Sequence, residues 1–228
     1  MNTQLTFDLP SVPALGRDAF FVSPSNHVAL ALLEKPGNWS NRKMLLCGPA
    51  KSGKTHLAHV WAEQTGAQVF AAKDVTLDSV AGIAQKAFVV IEDLHEAAGD
   101  PDAETALFHA HNLILAEGGT LLLTGTDEPS VWPIALPDLA SRVQGTALAQ
   151  LLAPDDQLLA MVMVKQFADR QLTPPAKVLT YLTTHMERSF AHATALVDEM
   201  DRIALRTRKP LNRTVAAQAL DKLAAAQA

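Results

Sequence analysis

The stretch GPAKSGKT at residues 48–55 constrains this chain more than any other. An apolar run, KMLLCG at 43–48, leads into it, and a helical segment, KTHLAHVWAEQTG at 54–66, leads out. The pattern is G-x-x-x-x-G-K-[ST], and its strand–loop–helix setting reads as a phosphate-binding loop. The glycines let backbone N–H groups turn toward phosphate oxygens, and the following helix adds its positive end. Gly48, Pro49, Ala50, Lys51, Ser52, Gly53, Lys54 and Thr55 are therefore the expected nucleotide contacts. Lys54 is expected at the β- and γ-phosphates, and Thr55 at Mg2+. A chance glycine-rich turn is the alternative, and the flanking strand and helix speak against it.

A second apolar run, FVVIED at 88–93, ends in two acids. In a parallel sheet this puts carboxylates at the C-terminal edge, beside the phosphate loop. Glu92 is expected in the Mg2+ shell and Asp93 at the attacking water. The alternative is an acidic strand end that merely faces solvent. The histidines make a poor metal set. His109 and His111 do not share a helix face, and His56 and His59 have no nearby acid at ligand spacing. Met161 and Met163 are expected to fill core.

Strands are predicted at 43–48, 67–72, 86–93 and 120–126, and helices at 23–35, 54–66 and 102–119. This alternation predicts an α/β fold, a parallel sheet with helices on both faces. From Pro154 onward four helical segments follow without a strand, which predicts a small all-helical module. The expected division is an extended tail at 1–16, a nucleotide-binding α/β domain at 17–153 and a helical lid at 154–228.

The length of 228 residues is ample for this plan. The formal net charge of -5 weighs against a protein whose main work is gripping duplex DNA. A basic strip, RIALRTRKPLNR at 202–213, keeps a weak or indirect DNA contact open. No stretch approaches the roughly 20 apolar residues of a membrane helix. The first ten residues, with no basic region and no apolar stretch, are not expected to form a signal peptide, and the single cysteine, Cys47, excludes an intramolecular disulfide. These features predict a cytoplasmic protein.

Phosphate loop, acid-ended strand and trailing helical module together suggest the AAA+ class. The chain resembles the DnaA-related AAA+ ATPases, and more closely their short Hda-like members, the regulatory inactivators of DnaA. The resemblance runs from Gln4 to the last helix. FFVSPSNHVALALL at 20–33 is similar to the family's opening stretch, which lies near the adenine and puts Asn26 beside the nucleotide. LPDLASRV at 136–143 is similar to the segment carrying the arginine finger, which maps onto Arg142. MERSFAHATALVDEMDR at 186–202 resembles the lid helix whose arginine senses phosphates, which maps onto Arg188. LLLTGTDEP at 121–129 resembles the sensor strand, with Thr126 where the family often has an acid. Glu92 stands where aspartate is usual. Both departures predict slow hydrolysis with binding retained.

QLTFDLP at 4–10 looks like the peptide with which such proteins dock on the DNA polymerase β sliding clamp, through Gln4, Leu5, Phe7 and Leu9. The resemblance thus implies ADP or ATP with Mg2+ as ligands, and the sliding clamp and DnaA as partners. It also allows a homo-oligomer through AAA+ interfaces, and it has no place for a membrane. In this reading Arg142 promotes hydrolysis of a partner's ATP. An autonomous ATPase, such as a helicase loader, and a DNA-binding initiator fragment are the rival readings.

Overall fold

The computed structural model describes residues 21–207 and 210–227. Five parallel strands form one sheet in the order β2-β3-β4-β1-β5. They are β1 (Lys43–Gly48), β2 (Gln68–Ala71), β3 (Phe88–Glu92), β4 (Thr120–Thr126) and β5 (Leu148–Gln150). The register pairs Gly48 of β1 with Thr126 of β4, and Leu46 of β1 with Ala149 of β5.

The central strands are buried on both faces, which is why they read as continuous apolar runs. Successive side chains alternate between two cores. Leu45, Cys47, Val89, Ile91, Leu121 and Leu123 face one, and Met44, Leu46, Val90 and Leu122 face the other. The first core is closed by α3 (Leu77–Ala84), α4 (Pro101–Ala116) and α5 (Pro137–Gln144). The second is closed by α1 (His27–Leu33) and α2 (Lys54–Thr65), where Trp61 stacks on Trp39 with centroids 5.3 Å apart.

Beyond β5 come α6 (Asp156–Asp169), α7 (Ala176–His185), α8 (Phe190–Thr207) and α9 (Arg213–Gln227). They enclose a core of their own around Phe167, Leu182, Leu196 and Met200. Met163 is fully buried there, as expected, whereas Met161 is only half-buried. Among the described residues, no helix is long and apolar enough to cross a membrane.

Sequence and structure part at a few elements. The helix predicted from residue 23 begins at His27, because Ser23 and Asn26 build a turn in which Asn26 Oδ1 accepts from Ser23 N at 2.9 Å. Helices α3 and α5 and strand β5 have no counterpart in the periodicity. Helix α3 is short and carries Gly82, and it is started locally by Thr76 N donating to Ser79 Oγ at 3.0 Å. Strand β5 offers only Leu148, Ala149 and Gln150, and its identity comes from pairing with β1.

Candidate functional site

The loop from Gly48 to Gly53 joins β1 to α2 at the C-terminal edge of the sheet. Gly53 has φ 95°, and a Cβ there would lie 3.1 Å from the ring of Phe190 on α8. The left-handed backbone is what favours glycine here, and a Cβ would also crowd the Phe190 ring of the helical module.

A cleft of about 780 Å³ opens at this point. One wall is the 48–55 loop and the start of α2, through Ala50, Lys51, Gly53, Lys54 and Thr55. The floor is the ends of β3 and β4, through Asp93 and Thr126. The opposite wall is the helical module, through Leu158 and Val162 of α6 and Phe190 and Ala191 of α8.

Lys54 is buried, and its Nζ donates to Gly48 O at 3.0 Å and Pro49 O at 2.8 Å. The ammonium thus sits inside the loop's own carbonyls. Burial lowers its pKa, and the charges of Asp93, Cys47 and Asp127 work against that shift. Asp93 holds a left-handed backbone at φ 54°, and its N–H donates to Thr124 Oγ1 at 3.0 Å. A residue held in this conformation beside a ligand cleft is a recognised mark of a functional turn.

Glu92 accepts from or pairs with His59 Nε2 through Oε2 at 3.1 Å. His59 has no acid at ligand spacing along the chain, and the fold supplies one by laying α2 against β3. The other oxygen, Glu92 Oε1, is buried without a hydrogen-bond partner. Glu92 itself does not line the cleft, which Thr55 and Asp93 reach, but an orphaned carboxylate oxygen of this kind fits a hard cation or its bound water. Among the described residues, no group of three or more His, Cys, Asp or Glu is placed to hold a metal ion by itself. Mg2+ does not need one, since it keeps waters and uses one or two protein ligands plus phosphate oxygens.

Not every expected contact reaches the cleft. Asn26 is buried and structural in its bonds, donating Nδ2 to Phe21 O at 2.9 Å; Phe21 itself lines the cleft. Arg188 precedes α8 and lies outside the cleft, with its guanidinium 3.1 Å from Asp156 Oδ1. The residues that α8 turns toward the loop are Phe190 and Ala191. Gln4, Leu5, Phe7 and Leu9 fall outside the described residues. In the basic strip, Arg202 pairs with Glu199, and Arg213 lies 4.7 Å from the centre of the Tyr181 ring.

The sequence reading missed the contribution of α6. Leu158, Val162, Lys165 and Asp169 line the cleft from it at the spacing of one helix face, a signal visible in hindsight. It also missed His95 and Glu96 on the 3-10 turn Leu94–Ala97 after β3.

The comparisons agree with this architecture. No protein-family model matches the chain. Domain III of the replication initiation protein DnaA from Thermotoga maritima superposes with a TM-score of 0.77 at 20% identity, covering 93% of this chain and 98% of that one. The fold is that of the AAA+ ATPases. DnaA bound to AMPPCP and single-stranded DNA shares the AAA+ fold at TM-score 0.70 and 17% identity, over 87% of this chain and 69% of that one. The RuvB Holliday junction branch migration motor of Thermotoga maritima shares it at TM-score 0.68 and 17% identity, over 86% and 67%.

Arg142 stands apart from the cleft, exposed in the last turn of α5. Its carbonyl accepts from buried Lys43 Nζ at 2.9 Å and from Thr146 Oγ1 at 2.8 Å. Lys43 also donates to Nε2 of buried His111 at 3.3 Å, while Nδ1 of that ring meets Asn112 Oδ1 at 3.2 Å. His111 is thus held neutral. Burial pushes its pKa down from 6.5 to about 4, aided by the charges of Lys43 and Arg142 and opposed by the Asn112 bond.

A depressed histidine pKa has a definite sign in stability. Between pH 6.5 and about 4 the unfolded chain takes up a proton at His111 that the folded protein refuses. Stability therefore falls as pH drops through this window, by at most about 3 kcal/mol. His111→Gln keeps an acceptor for Lys43 and does not titrate. Urea unfolding at a series of pH values should show a flatter profile for this variant between pH 6.5 and 4. An unchanged profile contradicts the assignment.

Proposed function

We propose that this protein is an adenine-nucleotide-binding AAA+ regulator of replication initiation, acting on DnaA from the sliding clamp. The observation that carries the reading is the convergence of Lys54, Thr55, Asp93 and Thr126 on one cleft between the sheet edge and the helical module. In this reading residues 17–153 bind the nucleotide, 154–228 form its lid, and 1–16 are the docking tail.

Lys54 exchanges its two loop carbonyls for phosphate oxygens when ADP or ATP enters. Backbone N–H groups of the 48–55 loop and the start of α2 hold the remaining charge. Thr55 and Glu92 are the residues to hold Mg2+, which supplies charge neutralisation at the phosphates when bound. Asp93 orients a water. Apolar side chains of α6 and α8 exclude solvent on the opposite side, favouring a nucleobase there.

Intrinsic turnover is expected to be slow. Glu92 is engaged by His59, and Thr126 brings a neutral hydroxyl where a carboxylate would assist. Phosphate release by the isolated protein should stay well below the enzymatic median of roughly 10 per second. A rate at or above that level favours an autonomous motor.

Arg142 lies outside its own cleft, as a group acting on a partner's nucleotide requires, and the segment similar to the finger motif supports that role. Docking rests on Gln4, Leu5, Phe7 and Leu9, whose alternate apolar side chains suit adjacent pockets. The test is a pull-down with purified sliding clamp, with the full chain and with residues 1–10 removed. Binding lost with the tail supports the reading; equal binding by both proteins removes its docking step.

A further inference from the structure

His95 stands on the turn after β3 and lines the cleft with Lys54, Asp93 and Thr126. The backbone N–H of Thr126 donates to its Nδ1 at 3.3 Å. A main-chain N–H is only a donor, so Nδ1 is the unprotonated nitrogen. The neutral ring then carries its proton on Nε2, at the far side from Thr126.

The ring is held from behind. Trp132 lies against it, with centroids 6.0 Å apart, and Trp132 Nε1 donates to Thr126 O at 2.7 Å. Gly125 makes room for this packing, since a Cβ there would fall 2.2 Å from the indole. Both main-chain polar groups of Thr126 are therefore bonded to side chains of this pair. The arrangement fixes ring position and tautomer together, and a second-nitrogen bond of this kind is how a histidine is oriented for work at the other nitrogen.

We propose that His95 is a specificity-determining ligand contact, donating Nε2–H to an oxygen of the terminal phosphate of a nucleoside triphosphate. The inference rests on the nucleotide reading above and goes beyond it by assigning the residue that separates triphosphate from diphosphate. In that reading Lys54 reaches the β- and γ-phosphates from one side, and the 48–55 loop grips the inner phosphates. The ends of β3 and β4 lie beyond them, where a third phosphate extends and where water-positioning and charge-sensing groups act. Of the side chains there, Asp93 and Glu96 are acceptors when ionised, Thr126 offers a short hydroxyl, and His95 offers a longer ring whose donor the Thr126 N–H bond fixes at Nε2.

Two isosteric variants separate this role from a structural one. Asparagine reproduces the Nδ1 position and keeps a partner for Thr126 N–H, but ends short of Nε2. Glutamine reaches the Nε2 position with an N–H donor. Calorimetry with Mg-ADP and with Mg-AMPPCP reads both. His95→Asn should weaken AMPPCP by about 10-fold, the loss of one charge-assisted hydrogen bond, and change ADP by less than about twofold. His95→Gln should leave both affinities within about threefold of the parent. The proposal is overturned if His95→Asn weakens both ligands alike or neither, or if His95→Gln is the variant that loses AMPPCP. A parent protein that binds neither nucleotide overturns the underlying reading instead.

Discussion

Lys54→Ala is expected to remove most affinity for ADP. The parent ammonium is buried, held by Gly48 O and Pro49 O at 3.0 and 2.8 Å, and has only to turn from carbonyls to phosphate. Its replacement deletes a charge-assisted hydrogen bond worth about 1.5–3 kcal/mol, or roughly 10- to 100-fold in Kd. The loop backbone stays in place, because Gly53 and the start of α2 set its path. The folded baseline should therefore be intact, and a thermal melt checks this. Calorimetry with Mg-ADP on parent and variant gives the comparison; equal affinities remove the phosphate-loop assignment.

Arg142→Ala is expected to leave ADP and clamp binding unchanged and to abolish stimulation of DnaA's ATP hydrolysis. The side chain is exposed at the end of α5, while its backbone is pinned through Lys43 and Thr146. Lys43 is a buried cation just behind it, so like-charge repulsion favours a guanidinium extended away from the body. An arginine supplied in trans to a phosphoryl transfer is worth on the order of 10³–10⁵ in rate. The loss should be of that order in a phosphate-release assay with DnaA–ATP and clamp-loaded DNA. Stimulation at the parental level by the variant contradicts the finger role.

The legible part of this fold is the part with strong local signals. Strands β1, β3 and β4 are continuous apolar runs because both their faces are buried, and the 48–55 loop announces itself by its glycines. Helix α5 and strand β5 were silent because their identity comes from docking onto an existing sheet. The same limit applies within the site. The pairing of His59 with Glu92 depends on which strand lies under α2. Arg188 and Phe190 are close in sequence, yet only the docking of the helical segments decides that Phe190, at the start of α8, faces the cleft while Arg188, just before it, meets Asp156. His95 carried no motif at all, and its tautomer follows from one backbone N–H that only the sheet brings near.

The central proposal is that this protein, which has the AAA+ fold, works mainly on another protein's nucleotide. Its most direct test is phosphate release from DnaA–ATP, measured with the ADP-bound protein in the presence and absence of clamp-loaded DNA. Accelerated hydrolysis that requires both the protein and the loaded clamp is the predicted result. No acceleration with all components present, or brisk ATP turnover by the protein alone, contradicts it.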